Sequence, residues 1–207
     1  MEEDGIDQKR LFEGLEITPD QFAKDDYRIN FEQHKKFIKN AIYMTKDPHL
    51  GWRFGKQINI TALGTLGYAV MASDNVGSAI RTLSRFFKLR APSYGLELTE
   101  QSARSNESIL LVNEEFDFDE IRYFKLSVVV SAFDHIFKFL TQEKNYIRGV
   151  EMTCNEPAGW HQQATLIDYP VRFATSATQL FMDAEFLKRP MPTADPDTAK
   201  STKHICQ

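Results

Sequence analysis

The stretch DFDEIRYFKLSVVVSAFDHIFKFLTQE, from Asp117 to Glu143, constrains the chain more than any other. Ile121, Phe124, Lys125, Val128, Ala132, Phe133, Ile136 and Leu140 recur there at helical steps, which predicts a single long helix. Three consecutive valines favour an extended backbone, because β-branched side chains are stiff at χ1, but the length of the pattern decides for helix. Asp117 and Glu120 have the spacing of a capping box at its start.

Strand patterns flank that helix and supply the surface it must cover. SYGLELT (93–99) alternates Tyr94, Leu96 and Leu98 with Gly95, Glu97 and Thr99, and SILLV (108–112) follows after a polar stretch of hairpin length. Downstream, IRGVEMTC presents Val150, Met152 and Cys154, YPVRFA presents Val171 and Phe173, and TQLFMD presents Leu180 and Met182. The order of helices, hairpin, long helix and further strands predicts an α+β fold. An antiparallel sheet of about four to five strands is expected, covered on one face by the long helix.

The N-terminal part, residues 1–58, reads as short helices broken by turns. Leu11, Phe12 and Leu15 share one side, Thr18-Pro19 opens a second helix, and Phe31, His34, Ile38 and Ile42 repeat near helical spacing. Pieces this short are unstable alone and must pack on the α+β core expected over 59–192. In that core, TALGTLGYAVMA (61–72) and VGSAIRTLSRFFKL (76–89) read as a helix pair joined by a tight turn at Ser73-Asp74-Asn75, with Thr61 as the first helix's N-cap. Gly64 and Gly67 each cost about 1 kcal/mol in a helix relative to Ala, so a close approach of a neighbouring helix or a ligand is expected there. Residues 193–207, with Pro192 just before them and Pro196 near their start, read as the beginning of a linker helix; Cys206 and its neighbours are expected to be poorly ordered or held by contacts outside the domain.

Composition excludes several classes. Twenty-five basic against 29 acidic residues give a formal charge of −4, the opposite of a module that grips a phosphate backbone. Even the segment GIDQKRLFEGLEITPDQFAKDD, which superficially reads helix-turn-helix, carries only Lys24 against Asp20, Asp25 and Asp26 in its second half. No apolar run approaches the roughly 18 residues of a membrane span and the N-terminus is acidic, so a cytoplasmic protein is expected. Two cysteines, Cys154 and Cys206, form no disulfide framework.

Catalytic chemistry has little footing in the sequence. His34, His49, His135, His161 and His204 lie far apart with no metal-ligand spacing, and no glycine-rich loop ends in Lys-Ser or Lys-Thr, so neither metal nor cofactor is expected. A small hydrolase or transferase built on His135 or His161 is one alternative, and a stand-alone small-molecule-binding protein another. His135 beside Asp134 can also be a boundary residue. Arg81 and Arg85, one turn apart, can share an anion or form a solvated stripe. Trp160 can lid a pocket or close a core edge. The 16 phenylalanines suggest a large core or an apolar cavity inside it.

Three stretches in order, DPHLGWRFGKQ (47–57), LGTLGYAVMASDNVGSAIRTLSRFFKLRAP (63–92) and YPVRFATSATQLFMDAEFLKRPMPTADP (169–196), resemble the N-terminal, arabinose-binding-like sensor domain of AraC-type bacterial transcription regulators. Asn75-Val76 stands where that family often has Thr-Leu. The resemblance implies a ligand-sensing and dimerising domain over residues 1–192, a homodimer, a small-molecule effector, no enzymatic activity, and DNA contact only through a C-terminal helix-turn-helix domain absent from this chain. The effector's pocket is expected between the sheet and the helices around 63–88 and 118–141. Tyr68, Arg81, Arg85, Tyr94, His135 and Trp160 are its candidate contacts, as polar or aromatic groups beside the expected core.

Overall fold

The structure, a computed structural model, describes residues 8–24, 27–100, 106–160 and 166–205. In chain order its helices begin with α1 (Gln8–Leu11), α2 (Pro19–Phe22), α3 (Phe31–Thr45) and α4 (Leu50–Gly55). Next come α5 (Thr65–Met71), α6 (Val76–Phe86), and the hairpin β1 (Tyr94–Glu100) and β2 (Glu107–Glu114). The long helix α7 (Arg122–Thr141) precedes β3 (Ile147–Glu151), β4 (Val171–Arg172) and β5 (Thr178–Asp183), and α8 (Ala184–Leu187) and α9 (Pro196–Ile205) close the chain. This is the expected α+β class. No helix among the described residues is long and apolar enough to cross a membrane.

The strands form one sheet in the order β1-β2-β5-β3-β4. All pairs are antiparallel except the short β3–β4 pair, which is parallel through Val150 opposite Val171 and Glu151 opposite Arg172. Register fixes which side chains share a face: Leu96 lies opposite Val112, Leu98 opposite Leu110, Leu110 opposite Leu180 and Val150 opposite Leu180. These apolar residues line the inner face. The alternate positions carry Glu97, Gln179, Glu151 and Arg172, with Arg172 and Gln179 both bonded to Glu151 on the outer face.

The helix α7 is central, which explains why it is apolar on nearly every side. One side looks onto the sheet, and Tyr94 on β1 donates its hydroxyl to the Lys125 carbonyl at 2.8 Å. On another side α4 lies at backbone distance. A Cβ on Gly51 would fall 2.6 Å from the Phe124 carbonyl, and one on Gly55 would fall 2.7 Å from both the Val128 carbonyl and the Ser131 Cβ. Ser131 Oγ then donates to the Trp52 carbonyl at 2.7 Å across the interface. Glycines four apart on α4, facing Ser127 and Ser131 four apart on α7, let the two helices close without voids.

Local caps decide the remaining boundaries. Thr18 and Gln21 form a capping box on α2 and Asn30 and Gln33 one on α3, while Asn75 caps α6 by accepting from the Ser78 amide at 2.8 Å. Two expectations are corrected. Thr61 caps nothing: it sits inside a 3-10 turn over Ile60–Leu63, and α5 starts after Gly64, whose φ of 58° lies in the region that favours glycine. Asp117 and Glu120 form no capping box either, because a 3-10 turn over Asp119–Ile121 precedes α7. The Asp117 carboxylate instead accepts from the Asp119 amide and from Arg122.

The close approach expected at Gly67 is to protein. A Cβ there would fall 2.3 Å from the Ile60 carbonyl, so the 3-10 turn packs directly on α5.

The last segment docks on the α5–α6 pair. The Val76 amide donates to the Arg189 carbonyl, Met191 to Asp74, and Asp195 to Ala72, while Thr193 Oγ1 donates to the Met71 carbonyl at 2.6 Å. Asp195 then accepts from the Asp197 and Thr198 amides at the start of α9, with Pro196 as the first helical residue, and α9 packs along α5. Cys206 lies outside the described residues.

Candidate functional site

A cavity of about 210 Å³ lies between the sheet and the helices. Its floor is the inner face of the sheet, with Tyr94, Leu96, Leu110, Val112 and Leu180. Its roof is one stripe of α7, from Val128 and Val129 through Ala132 and Phe133 to Ile136 and Phe137. The side wall comes from Ile60, Ala62 and Leu63 of the 3-10 turn, Val70 of α5, Leu83 of α6, and the turn after α6 with Phe87, Arg90 and Ala91. This is the location expected for an effector pocket, and the repeating apolar positions of α7 are what form it.

Among the described residues, only two lining side chains carry polar groups. Burial pushes the Tyr94 phenol well above its ordinary pKa, so it stays protonated and donates to the Lys125 carbonyl. Arg90 is exposed, and one of its guanidinium nitrogens donates to the Ala62 carbonyl at 3.0 Å. Ala62 is also exposed, whereas every other lining residue is buried or half-buried, so these two residues mark the mouth.

Of the six candidate contacts, Tyr94 alone lines the cavity. Tyr68 is 55% exposed, on the face of α5 opposite its buried Leu66 and Val70. Arg81 and Arg85 lie on the exposed side of α6, one turn apart; Arg81 donates weakly to Ser78 Oγ at 3.4 Å, and the Arg85 guanidinium lies 5.2 Å from the Phe86 ring centroid. His135 is half-buried on α7 between buried Asp134 and cavity-lining Ile136, and it does not face the cavity itself.

Trp160 closes the edge of a separate aromatic cluster, with ring centroids 5.0 Å from Phe173 and 5.8 Å from both His49 and Trp52. At its centre, Trp52 Nε1 donates to the Tyr123 hydroxyl at 2.9 Å, and that hydroxyl lies 2.7 Å from His49 Nδ1. Desolvation lowers the His49 pKa. A neutral imidazole accepting the phenol proton satisfies all three polar atoms, and the cluster pins α4 to α7. His161 lies outside the described residues. The residue that charge pattern and periodicity gave no means of finding is Arg90: an arginine just past a helix end reads as solvated until the fold brings the Ala62 turn beside it.

One buried charge stands apart. Lys125 is 7% exposed, and its ammonium lies 4.8 Å from the Tyr94 ring centroid and 5.3 Å from that of Phe118, with no hydrogen bond or ion pair among the described residues. Desolvation pushes its pKa down to about 8. Nearby His34 is pushed down to about 4, by burial first and then by the Lys125 charge. Among the described residues, no group of three or more His, Cys, Asp or Glu is placed to hold a metal ion.

The described residues thus form an apolar chamber roofed by a long helix, with α9 docked on one of its wall elements. The chain belongs to the family of N-terminal arabinose-binding domains of AraC transcription regulators, whose model matches residues 5–191. It is 26% identical over 203 residues to the ornithine utilization regulator of Pseudomonas aeruginosa, covering 98% of this chain and 59% of that one. The crystal structure of the transcriptional regulator CdpR from the same organism shares the fold. Its TM-score is 0.66 at 15% identity, over 86% of this chain and 62% of that one. The chain thus spans about three fifths of the length of these regulators.

Proposed function

We propose that this chain is the effector-sensing part of a cytoplasmic, bacterial AraC-type regulator, and that a small metabolite occupying the cavity sets the position of α9. The observation that carries this reading is the double role of α5: Val70 forms part of the cavity wall, and α9 packs along the same helix. A ligand that tightens or spreads the wall therefore acts on the element from which the chain continues. It can bias the regulator only by its differential affinity for the two placements of that element.

In this reading residues 193–207 begin the linker, and a helix-turn-helix domain beyond them contacts DNA. A homodimer is the symmetric default, and the domain itself performs no reaction. Support comes from the regulator relatives and from their greater length.

The test joins this chain to the C-terminal part of the Pseudomonas aeruginosa relative and follows a transcriptional reporter across a panel of carbon sources. Ala132→Phe places a phenyl group in the roof of the cavity. The wild-type fusion is expected to change output with carbon source and the variant to lose that response while still binding DNA. A variant that responds like wild type overturns the proposal.

A further inference from the structure

We infer that the effector of this cavity is a medium-length hydrocarbon group bearing at most one anionic end, rather than a sugar or an amino acid. The inference rests on the sensing reading above and deepens it.

Size sets the first limit. An apolar cavity of about 150 Å³ takes up benzene, so about 210 Å³ scales to roughly eight non-hydrogen atoms. Polarity sets the second. Tyr94 already spends its proton on the Lys125 carbonyl, and the rest of the wall inside the mouth, among the described residues, is aliphatic or phenyl. A pentose would bury several hydroxyls with at most one side chain to meet them, and each unmet hydroxyl weakens binding about tenfold or more. An amino acid would bury an ammonium, and among the described residues no carboxylate lines the cavity to receive it.

Charge sets the third limit. Arg90, the single charged lining residue among the described residues, stands at the mouth, with one guanidinium nitrogen on the Ala62 carbonyl and its other donors unengaged among those residues. A guanidinium in that place suits a carboxylate held at the rim while the hydrocarbon fills the interior. Amphiphiles of this form bury only the part that water rejects.

Calorimetry and melting curves on this chain test the inference with four probes: octanoate, 1-octanol, L-ornithine and L-arabinose. Octanoate and octanol are expected to bind and raise the melting temperature, and the two polar probes to leave it unchanged. Arg90→Gln should weaken octanoate about tenfold and octanol less than twofold. Ala132→Phe should weaken both more than tenfold, with Val128→Phe as the second cavity-filling variant if the first does not fold. Tighter, cavity-dependent binding of ornithine or arabinose overturns the inference and leaves the sensing reading standing. No binding of either apolar probe, or binding indifferent to the filled cavity, also overturns it. The sensing reading itself falls on a different result: a reporter fusion whose response survives Ala132→Phe although octanoate occupies the cavity.

Discussion

Replacing Lys125 by methionine should stabilise the protein, which is an unusual outcome for removing a charge. Lys125 is almost wholly buried and meets two aromatic faces, at 4.8 and 5.3 Å, but no carboxylate among the described residues. Its pKa falls from 10.5 in the unfolded chain to about 8 in the folded one. At about 1.36 kcal/mol per pH unit, holding the charge in the folded state costs about 3 kcal/mol at neutral pH. Cation–π attraction to Tyr94 and Phe118 offsets about 1–2 kcal/mol of that cost.

Methionine keeps the length and flexibility of the side chain and removes the charge, so Lys125→Met should gain about 1–2 kcal/mol at pH 7. For a domain of this size that raises the melting temperature by about 3–6 °C. The sign of the pH dependence is fixed. Between about pH 8 and 10.5 the unfolded chain holds the lysine proton and the folded chain does not, so wild-type stability rises with pH there and the variant's advantage shrinks. Urea denaturation at pH 7 and pH 10 measures both effects. A variant that is less stable than wild type at pH 7, or whose advantage is the same at both pH values, would refute the reasoning and show that the ammonium has a partner.

Other predictions follow from the same contacts. Lys125→Met should also raise the pKa of His34, because the lysine charge is the second cause of its depression after burial; imidazole chemical shifts read this directly. His34 itself is neutral in the folded chain down to about pH 4 against 6.5 unfolded, so its contribution is present above 6.5 and lost as pH falls to 4. His34→Phe should flatten the acid limb of the stability curve in that window. Gly55→Ala should cost about 2 kcal/mol by forcing α4 away from α7, where its Cβ would meet Val128 and Ser131, and the melting temperature measures it. Asn75→Ala, which removes the cap of α6, should cost about 1 kcal/mol by the same assay.

The helices and strands were legible where one face repeats. The α7 stripe, the alternation of β1, β2 and β5, and the Asn75 turn each follow from spacing that depends only on neighbours in the chain. The spacing at Thr61 and at Asp117 does not reveal that a 3-10 turn competes for the same residues, with Gly64 and Asp119 at positive φ beside them. The parallel pairing of β4 is a long-range choice that two residues cannot encode by themselves.

At the site, Val128, Ala132, Phe133 and Ile136 were legible as core positions, but not that the space beneath them stays unfilled. That space depends on the combined volume of every segment that lines it. Tyr68, Arg81 and Arg85 have the chemistry of ligand contacts, but the fold turns them outward because the opposite faces of α5 and α6 hold Val70 and Leu83. Gly51 and Gly55 stood in plain view in DPHLGWRFGKQ, and their four-residue spacing gains meaning only beside Ser127 and Ser131.

The most direct test of the account is hydrogen exchange of the chain with and without saturating octanoate. A cavity that senses its ligand through α5 predicts slowed exchange in Val128–Phe137 and Thr65–Met71, together with a change in Pro196–Ile205, the helix packed along α5. Slowing confined to the cavity wall, with α9 exchanging as before, would contradict the claim that occupancy of the cavity is passed on through α5.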